Sequence, residues 1–323
     1  MRNKLLVIGG SGFIGTRLCE RLVRRNDISF SIVDKVESRK FPEKYTYFDI
    51  RNEIPKEIID KDSIIINLAA EHHDNVRPVS LYYETNVKGA INICNLARKA
   101  NVKKIIFTSS VAVYGFSKTP INESGTENPF NDYGRSKLEA EKIYKKWYDE
   151  DPKNRTLTIL RPTVVFGEGN RGNVYTLINQ IYKKKFIMIG NGSNYKSIAY
   201  VENVAACIEY SINFDAGFFL YNYTDKPAYS MSQLIEIICQ TLKIKPKYAL
   251  KIPFFVGISI GKFLDYLGTL LNKKFSISSI RIKKFCSNSV YDSDIFSKGF
   301  TPPLKLSEAI KKTIIFEFIK KTK

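Results

Sequence analysis

The chain opens with a strand-like run over residues 4–8, apolar after Lys4. It passes without a spacer into Gly9-Gly10-Ser11-Gly12-Phe13-Ile14-Gly15, then into a helical pattern over 15–25 striped by Leu18, Leu22 and Val23. Glycines at that spacing between a strand and a helix permit a tight turn whose backbone N–H groups approach a pyrophosphate, and the helix N-terminus adds partial positive charge. A second strand pattern over 29–33 leads into Asp34, 19 residues after Gly15. A carboxylate at the end of the second strand accepts hydrogen bonds from adenosine ribose hydroxyls and repels a 2′-phosphate. This pattern predicts a dinucleotide site that prefers NAD to NADP, a preference softened by the adjacent Lys35.

Further β-branched runs at 63–68, 104–109 and 156–161 alternate with helical patterns at 81–100 and 133–149. Strand–helix alternation of this kind predicts an α/β fold with a doubly wound parallel (Rossmann) sheet. From about Gly167 the rhythm loosens, and glycines at 167, 169, 172, 190 and 192 mark loops. We therefore expect a dinucleotide-binding domain over 1–167, with later segments returning to it, and a smaller, mainly substrate-binding domain over 168–323.

Composition narrows the class. Hydrophobic residues at 44% and charged residues at 26% are globular values, which argue against disorder. The five cysteines, at 19, 94, 207, 239 and 286, form no CxxC pair, so neither a disulfide framework nor a thiolate metal site is expected. His72 and His73 are adjacent; on an extended chain they would point opposite ways, so no metal site is expected there either. The run before Gly9 is too short for a signal peptide, and no stretch of membrane-spanning length is free of charge. These features lead us to expect a reduced, cytoplasmic enzyme. Its net charge of +19 is unevenly placed: after Thr241 there are 17 basic and 5 acidic side chains. No nucleic-acid-binding motif accompanies that charge, so no nucleic-acid partner is expected.

Tyr133-Gly-Arg-Ser-Lys137 places a phenol and an ammonium on one face at the start of a helix. A phenol near pKa 10 is a poor base at neutral pH, and neighbouring positive charge favours its phenolate. Thr108-Ser109-Ser110 closes an apolar strand where a parallel sheet presents its ligand-facing edge. Together with Asp49-Ile50, Asn67-Leu-Ala-Ala70, Asn86-Val-Lys-Gly89, Ser109-Ser-Val-Ala-Val-Tyr-Gly115, Arg161-Pro162 and Phe166-Gly167, these motifs resemble the extended short-chain dehydrogenase/reductase family, in its NAD-dependent sugar epimerase/dehydratase branch. The resemblance implies Ser110, Tyr133 and Lys137 as catalytic residues. It implies a cofactor site of Gly9, Gly12, Phe13, Ile14, Gly15, Asp34, Asp49, Ile50, Leu68, Ala69, Ala70, Asn86, Tyr133, Lys137 and Pro162. Asp49 and Ile50 would hold the adenine, and Asn86 would brace the cofactor. Gly190-Asn-Gly192, Lys196 and Tyr200-Val-Glu-Asn203 resemble the branch's diphosphate-binding region, with lysine where arginine is usual; Val164 replaces a usual asparagine.

The branch's 4,6-dehydratases resemble Thr-Asp-Glu where this chain has Ser110-Val111-Ala112, so elimination lacks its carboxylates and C4 epimerisation is the implied reaction. The segments 69–78, 170–175 and 279–286 resemble bacterial 4-epimerases of undecaprenyl-diphosphate-linked N-acetylglucosamine, which act in O-antigen and related polysaccharide synthesis. Asn173 and Arg281 fall in those segments and, with Ser110 and with Lys196 of the diphosphate-binding region, are the substrate-binding candidates. The segment 251–274 is apolar, aromatic-rich and flanked by lysines, a pattern of helices lying in a membrane interface. Its stripe would be Val256, Ile260, Phe263, Leu264, Leu267 and Leu271; a core helix of the smaller domain is the alternative. The expected partners are a sugar diphosphate, polyprenyl-linked, an anionic membrane surface on the cytoplasmic side, and a second copy as homodimer. A soluble UDP-N-acetylglucosamine or UDP-glucose 4-epimerase and a non-catalytic NAD-binding scaffold remain the alternatives.

Overall fold

Val7, Ile8, Ile65, Ile66, Ile105 and Ile106 are each at most 1% exposed, as strands covered by helices on both faces require. A computed structural model describes residues 3–60, 62–73, 76–116, 120–245, 249–271 and 278–320. The first half runs β1 (Asn3–Ile8), α1 (Phe13–Leu22), β2 (Ile28–Asp34), β3 (Tyr45–Tyr47), β4 (Ile64–Asn67), a helical turn α2 (Ser80–Tyr82) continued by a π-helical stretch (Tyr83–Lys88) into α3 (Gly89–Lys99), β5 (Lys104–Thr108), α4 (Asp132–Asp149) and β6 (Thr156–Pro162). The second half adds β7 (Val164–Phe166), α5 (Asn173–Tyr182), β8 (Ile187–Ile189), β9 (Tyr195–Lys196), β10 (Ile198–Tyr200), α6 (Val201–Ser211), β11 (Gly217–Tyr223), β12 (Tyr229–Ser230), α7 (Met231–Leu242), β13 (Ala249–Ile252), α8 (Phe254–Leu270), α9 (Ser279–Cys286) and α10 (Leu306–Ile314).

Seven strands form one parallel sheet in the order β3-β2-β1-β4-β5-β6-β11. The order reverses between β1 and β4, which opens a crevice at the carboxyl ends of those strands. Leu18 and Leu22 of α1 and Ile208 of α6 fill one face of the sheet. Ile93 and Leu96 of α3 and Tyr144 and Trp147 of α4 fill the other. A separate apolar cluster joins Ile178 and Ile181 of α5, Leu234 and Ile238 of α7, and Ile310 of α10 in the smaller layer.

β11 pairs along its whole length with β6, from Gly217 against Thr156 to Tyr223 against Pro162. The chain after β7 therefore leaves the sheet, returns as α6 and β11, and leaves again. All five cysteines are free, and four are buried. Among the described residues no helix is long and apolar enough to cross a membrane, and no cluster could hold a metal ion. The rings of His72 and His73 stack 4.5 Å apart, so the chain there is not extended as expected and the two side chains lie together.

Candidate active site

Three loops meet at the crevice. The first follows β1. Gly9 has φ +78°, and a Cβ there would stand 2.5 Å from Ala69 N, so the glycine loop lies against the loop after β4. At Gly15 a Cβ would stand 2.4 Å from Gly9 O. Side chains are thus excluded where the loop folds on itself. Gly12 differs: a Cβ there would meet only Gly9 O at 3.2 Å, and Gly12 caps α1 without a side-chain hydrogen bond. The first turn of α1 also has no acidic residue, and the Ser11 hydroxyl is buried with no hydrogen-bond partner among the described residues. A glycine-walled helix N-terminus with an unpartnered hydroxyl fits a dinucleotide diphosphate. Phe13 and Ile14 open the helix, and their side chains pack against the apolar cluster of the smaller layer.

Asp34 ends β2 and accepts from Ser11 N and from Val36 N, each at 3.1 Å. Burial raises its pKa, and those N–H groups pull it back. Two accepted bonds leave a carboxylate further acceptor capacity. Asp49 is engaged by Arg51, whose Nε lies 2.9 Å from Oδ2, and Ile50 is buried against Gly89. Leu68, Ala69 and Ala70 follow β4, with Leu68 N donating to Ile8 O at 2.8 Å and Ala69 N to Asn67 Oδ1 at 3.1 Å. Asn86 is 3% exposed. It accepts from Glu71 N at 2.9 Å and donates to Glu71 O at 3.1 Å and Ser136 Oγ at 2.9 Å. Its amide therefore braces the loop after β4 and ties that loop to α4. Pro162 is buried at the end of β6.

The third loop follows β5. Ser110 begins a 3₁₀ turn (Val111–Tyr114), and its Oγ accepts from Ala112 N at 3.1 Å. The start of α4 docks directly on this turn: a Cβ at Gly134 would lie 2.6 Å from Ala112 O. Asn131 caps the helix by accepting from Gly134 N at 2.9 Å. Tyr133 stands in the first turn, its ring centroid 6.4 Å from that of Tyr82. Lys137, one turn on, is 1% exposed, lies over the Phe107 ring at 4.2 Å and donates to Thr108 O at 2.6 Å. Burial lowers its pKa to about 7, against the pull of Glu141. Ser110, Tyr133 and Lys137 thus share the edge formed by β5 and α4.

Sequence reading missed the support beneath this edge. Arg161 is 1% exposed within β6, every residue of which is buried. It donates through Nε to Glu141 Oε1 at 2.9 Å and through Nη1 to Tyr114 OH at 2.8 Å, and it also meets Glu127. Glu141 accepts from the Ser109 hydroxyl; Tyr114 donates to Asn222 Oδ1 at 2.9 Å. A buried charged network that is fully paired holds its members in one geometry, here the residues flanking Ser110 and the helix of Tyr133. An arginine inside a strand otherwise wholly apolar or small was the signal for it.

Of the other substrate candidates, Asn173 opens α5 and Arg281 is exposed on α9; Val164, in place of the usual asparagine, is 43% exposed. Lys196 gives two of its three donors to the C-terminal end of α9, at 2.8 Å to Lys284 O and 2.7 Å to Ser287 O. A cation there complements the helix dipole. Burial lowers its pKa to about 8.

The model of the NAD dependent epimerase/dehydratase family matches residues 5–218. The chain belongs to that family. An Escherichia coli O157:H7 protein named N-acetyl-alpha-D-glucosaminyl-diphospho-ditrans,octacis-undecaprenol 4-epimerase is 43% identical over 99% of this chain and 96% of its own. A Vibrio cholerae UDP-glucose 4-epimerase is 26% identical, covering 81% of this chain and 82% of its own. In fold, the chain is similar to a Bacillus cereus UDP-glucuronic acid 4-epimerase solved with NAD, with TM-score 0.75, 18% identity and 99% of both chains covered.

Proposed function

We propose that this protein is an NAD-dependent 4-epimerase that interconverts N-acetylglucosamine and N-acetylgalactosamine carried on undecaprenyl diphosphate. It would work in O-antigen or related surface polysaccharide synthesis, on the cytoplasmic face of an anionic membrane. The observation that carries the reading is the near full-length, 43% identical relative of that name, joined to an intact Ser110, Tyr133 and Lys137.

NAD, when bound in the crevice, supplies reversible hydride chemistry that leaves no net oxidation. Gly9, Gly12 and Gly15 admit its diphosphate, and Asp34 receives its adenosine ribose. Tyr133 takes the proton of the C4 hydroxyl, and Ser110 holds the same oxygen. Lys137 lies one turn from Tyr133, where its charge supports the phenolate; the family resemblance also gives it the nicotinamide ribose. Once the keto-sugar has presented its other face, Tyr133 returns the proton to the C4 oxygen and so restores the hydroxyl, while the inversion at carbon rests on the hydride chemistry that bound NAD would supply.

Support for a membrane setting comes from α8. Phe254, Phe255, Phe263, Tyr266 and Leu270 are all exposed, between 45% and 69%, on a chain whose residues after Thr241 carry 17 basic and 5 acidic side chains. Aromatic, basic-flanked faces of this kind lie in membrane interfaces. The test is a direct comparison of undecaprenyl-diphosphate-linked and UDP-linked N-acetylglucosamine as substrates of the purified protein. The lipid-linked sugar should be epimerised without net NADH formation. Efficient turnover of the UDP-sugar alone would refute the proposal.

A further inference from the structure

A cavity of about 680 Å³ opens between the N-terminal end of α8, the loop after β8 and α9. Its apolar wall is Ile189, Ile252 and Phe254, its basic residues are Lys251 and Lys283, and Cys286 also lines it. The polar loop on its border is largely committed to itself. Asn191 accepts from Ser193 N at 3.0 Å and Ser193 Oγ at 2.7 Å, and Asn194 donates to Phe285 O at 2.8 Å. Beside that loop the cavity presents a hydrocarbon wall and two lysine side chains, the contacts that an anionic head and a hydrocarbon tail use.

The cavity also joins two other parts of the molecule. On one side, Lys284 of α9 lies over the Phe130 ring at 5.0 Å and Lys283 over the Phe116 ring at 5.6 Å, and those rings stack 4.6 Å apart. Phe130 is three residues before Tyr133, so α9 bridges the cavity to the catalytic edge. On the other side, Phe254 belongs both to the cavity wall and to the exposed apolar face of α8. An amphiphile with an anionic head and a hydrocarbon tail matches this succession of catalytic edge, lysines, apolar pocket and apolar surface.

Building on the lipid-linked reading above, we infer that this cavity is the subsite for the diphosphate-proximal isoprene units of the substrate. Lys251 and Lys283 face the diphosphate, and the Ile189–Ile252–Phe254 wall takes the first units of the chain before it passes along α8. The pocket thus distinguishes a lipid-linked sugar from a nucleotide-linked one by hydrocarbon contact close to the headgroup, independently of any bilayer.

The test uses water-soluble substrates, N-acetylglucosamine diphosphate bearing either a geranyl or a methyl group, with the undecaprenyl and UDP-linked sugars as references. The wild-type KM should be at least about tenfold lower for the geranyl than for the methyl compound, the factor that burying about two methylenes supplies. Ile252→Asn and Phe254→Ser should each erase most of that preference, with melting temperature and NAD affinity retained as evidence of folding. Equal KM values for the two soluble compounds, or a preference that survives both substitutions in folded protein, would overturn the subsite. If the wild type turns over the undecaprenyl sugar while either result holds, only the subsite fails. If it turns over the UDP-sugar alone, the substrate reading and the subsite fail together.

Discussion

Burial takes Lys137 out of water; among the described residues its ammonium meets Thr108 O and the Phe107 ring, with Glu141 attracting it. Desolvation penalises the charged form, so the folded protein releases this proton at about pH 7, whereas an unfolded lysine holds it to about pH 10. Between those values the unfolded chain binds more protons, so the sign is positive: stability gains with rising pH across that window. Comparing wild type with Lys137→Met isolates the contribution. The stability of the wild type relative to the variant should improve from about pH 7 to about pH 9, and a pH-independent difference in thermal melts would contradict the assignment. Tyr133→Phe separates chemistry from folding: its rate should fall by roughly 10²–10⁴-fold, the worth of a positioned proton-transfer group, while NAD still binds. Full epimerase activity in that variant would remove Tyr133 from the mechanism.

Helix α8 shows where elements were legible and where they were not. Its residue run predicted an amphipathic helix with a stripe of Val256, Ile260, Phe263, Leu264, Leu267 and Leu271; Val256, Ile260 and Phe263 are exposed, Leu264 and Leu267 are half-buried, and Leu271, just past the helix, is exposed. The face that packs is the one with glycines. A Cβ at Gly257 would lie 2.6 Å from Ile189 Cγ2, and one at Gly261 2.8 Å from Ser279 Cα. Close backbone approach, not apolar bulk, fixes α8 against α9, and periodicity of large residues cannot report that. The inner strands were readable because burial on both faces leaves a continuous apolar run, as in Ile64–Asn67. The sheet's edges were not: β3 has only three residues, and β11 reaches β6 after a long excursion through β7 and α6. The glycine loop and the Tyr133–Lys137 pair stood out because their chemistry is local in sequence. The Glu141–Arg161–Tyr114 network joins three elements and had no local spacing to mark it. For α8, Gly261→Leu should cost about 1–3 kcal/mol, as overpacking does, because the atoms it meets include the Ser279 backbone. Lower thermal stability with unaltered NAD affinity is expected; an unchanged melt would mean that α8 is not held there.

At the scale of the whole molecule, charge and apolar exposure fall in the same part of the chain. Residues after Thr241 hold 17 basic and 5 acidic side chains, and the same part carries the exposed Phe255, Phe263, Tyr266 and Leu270. Each basic side chain near an anionic leaflet contributes about 1 kcal/mol, and salt screens that attraction beyond about 8 Å at physiological strength. Electrostatics alone would therefore release the protein as salt rises. Burying aromatic side chains in the interface adds a component that salt does not screen. Two separable losses follow. Flotation with vesicles containing phosphatidylglycerol should retain the protein and weaken only in part at high salt. Replacing Phe254, Phe255 and Phe263 together by serine should leave binding that disappears as salt is raised. A triple variant that floats like the wild type at every salt concentration would show that α8 does not enter the interface. If the wild type ignores vesicles and runs as two chains, and the triple variant runs as one, the apolar face belongs to a second copy of the protein instead.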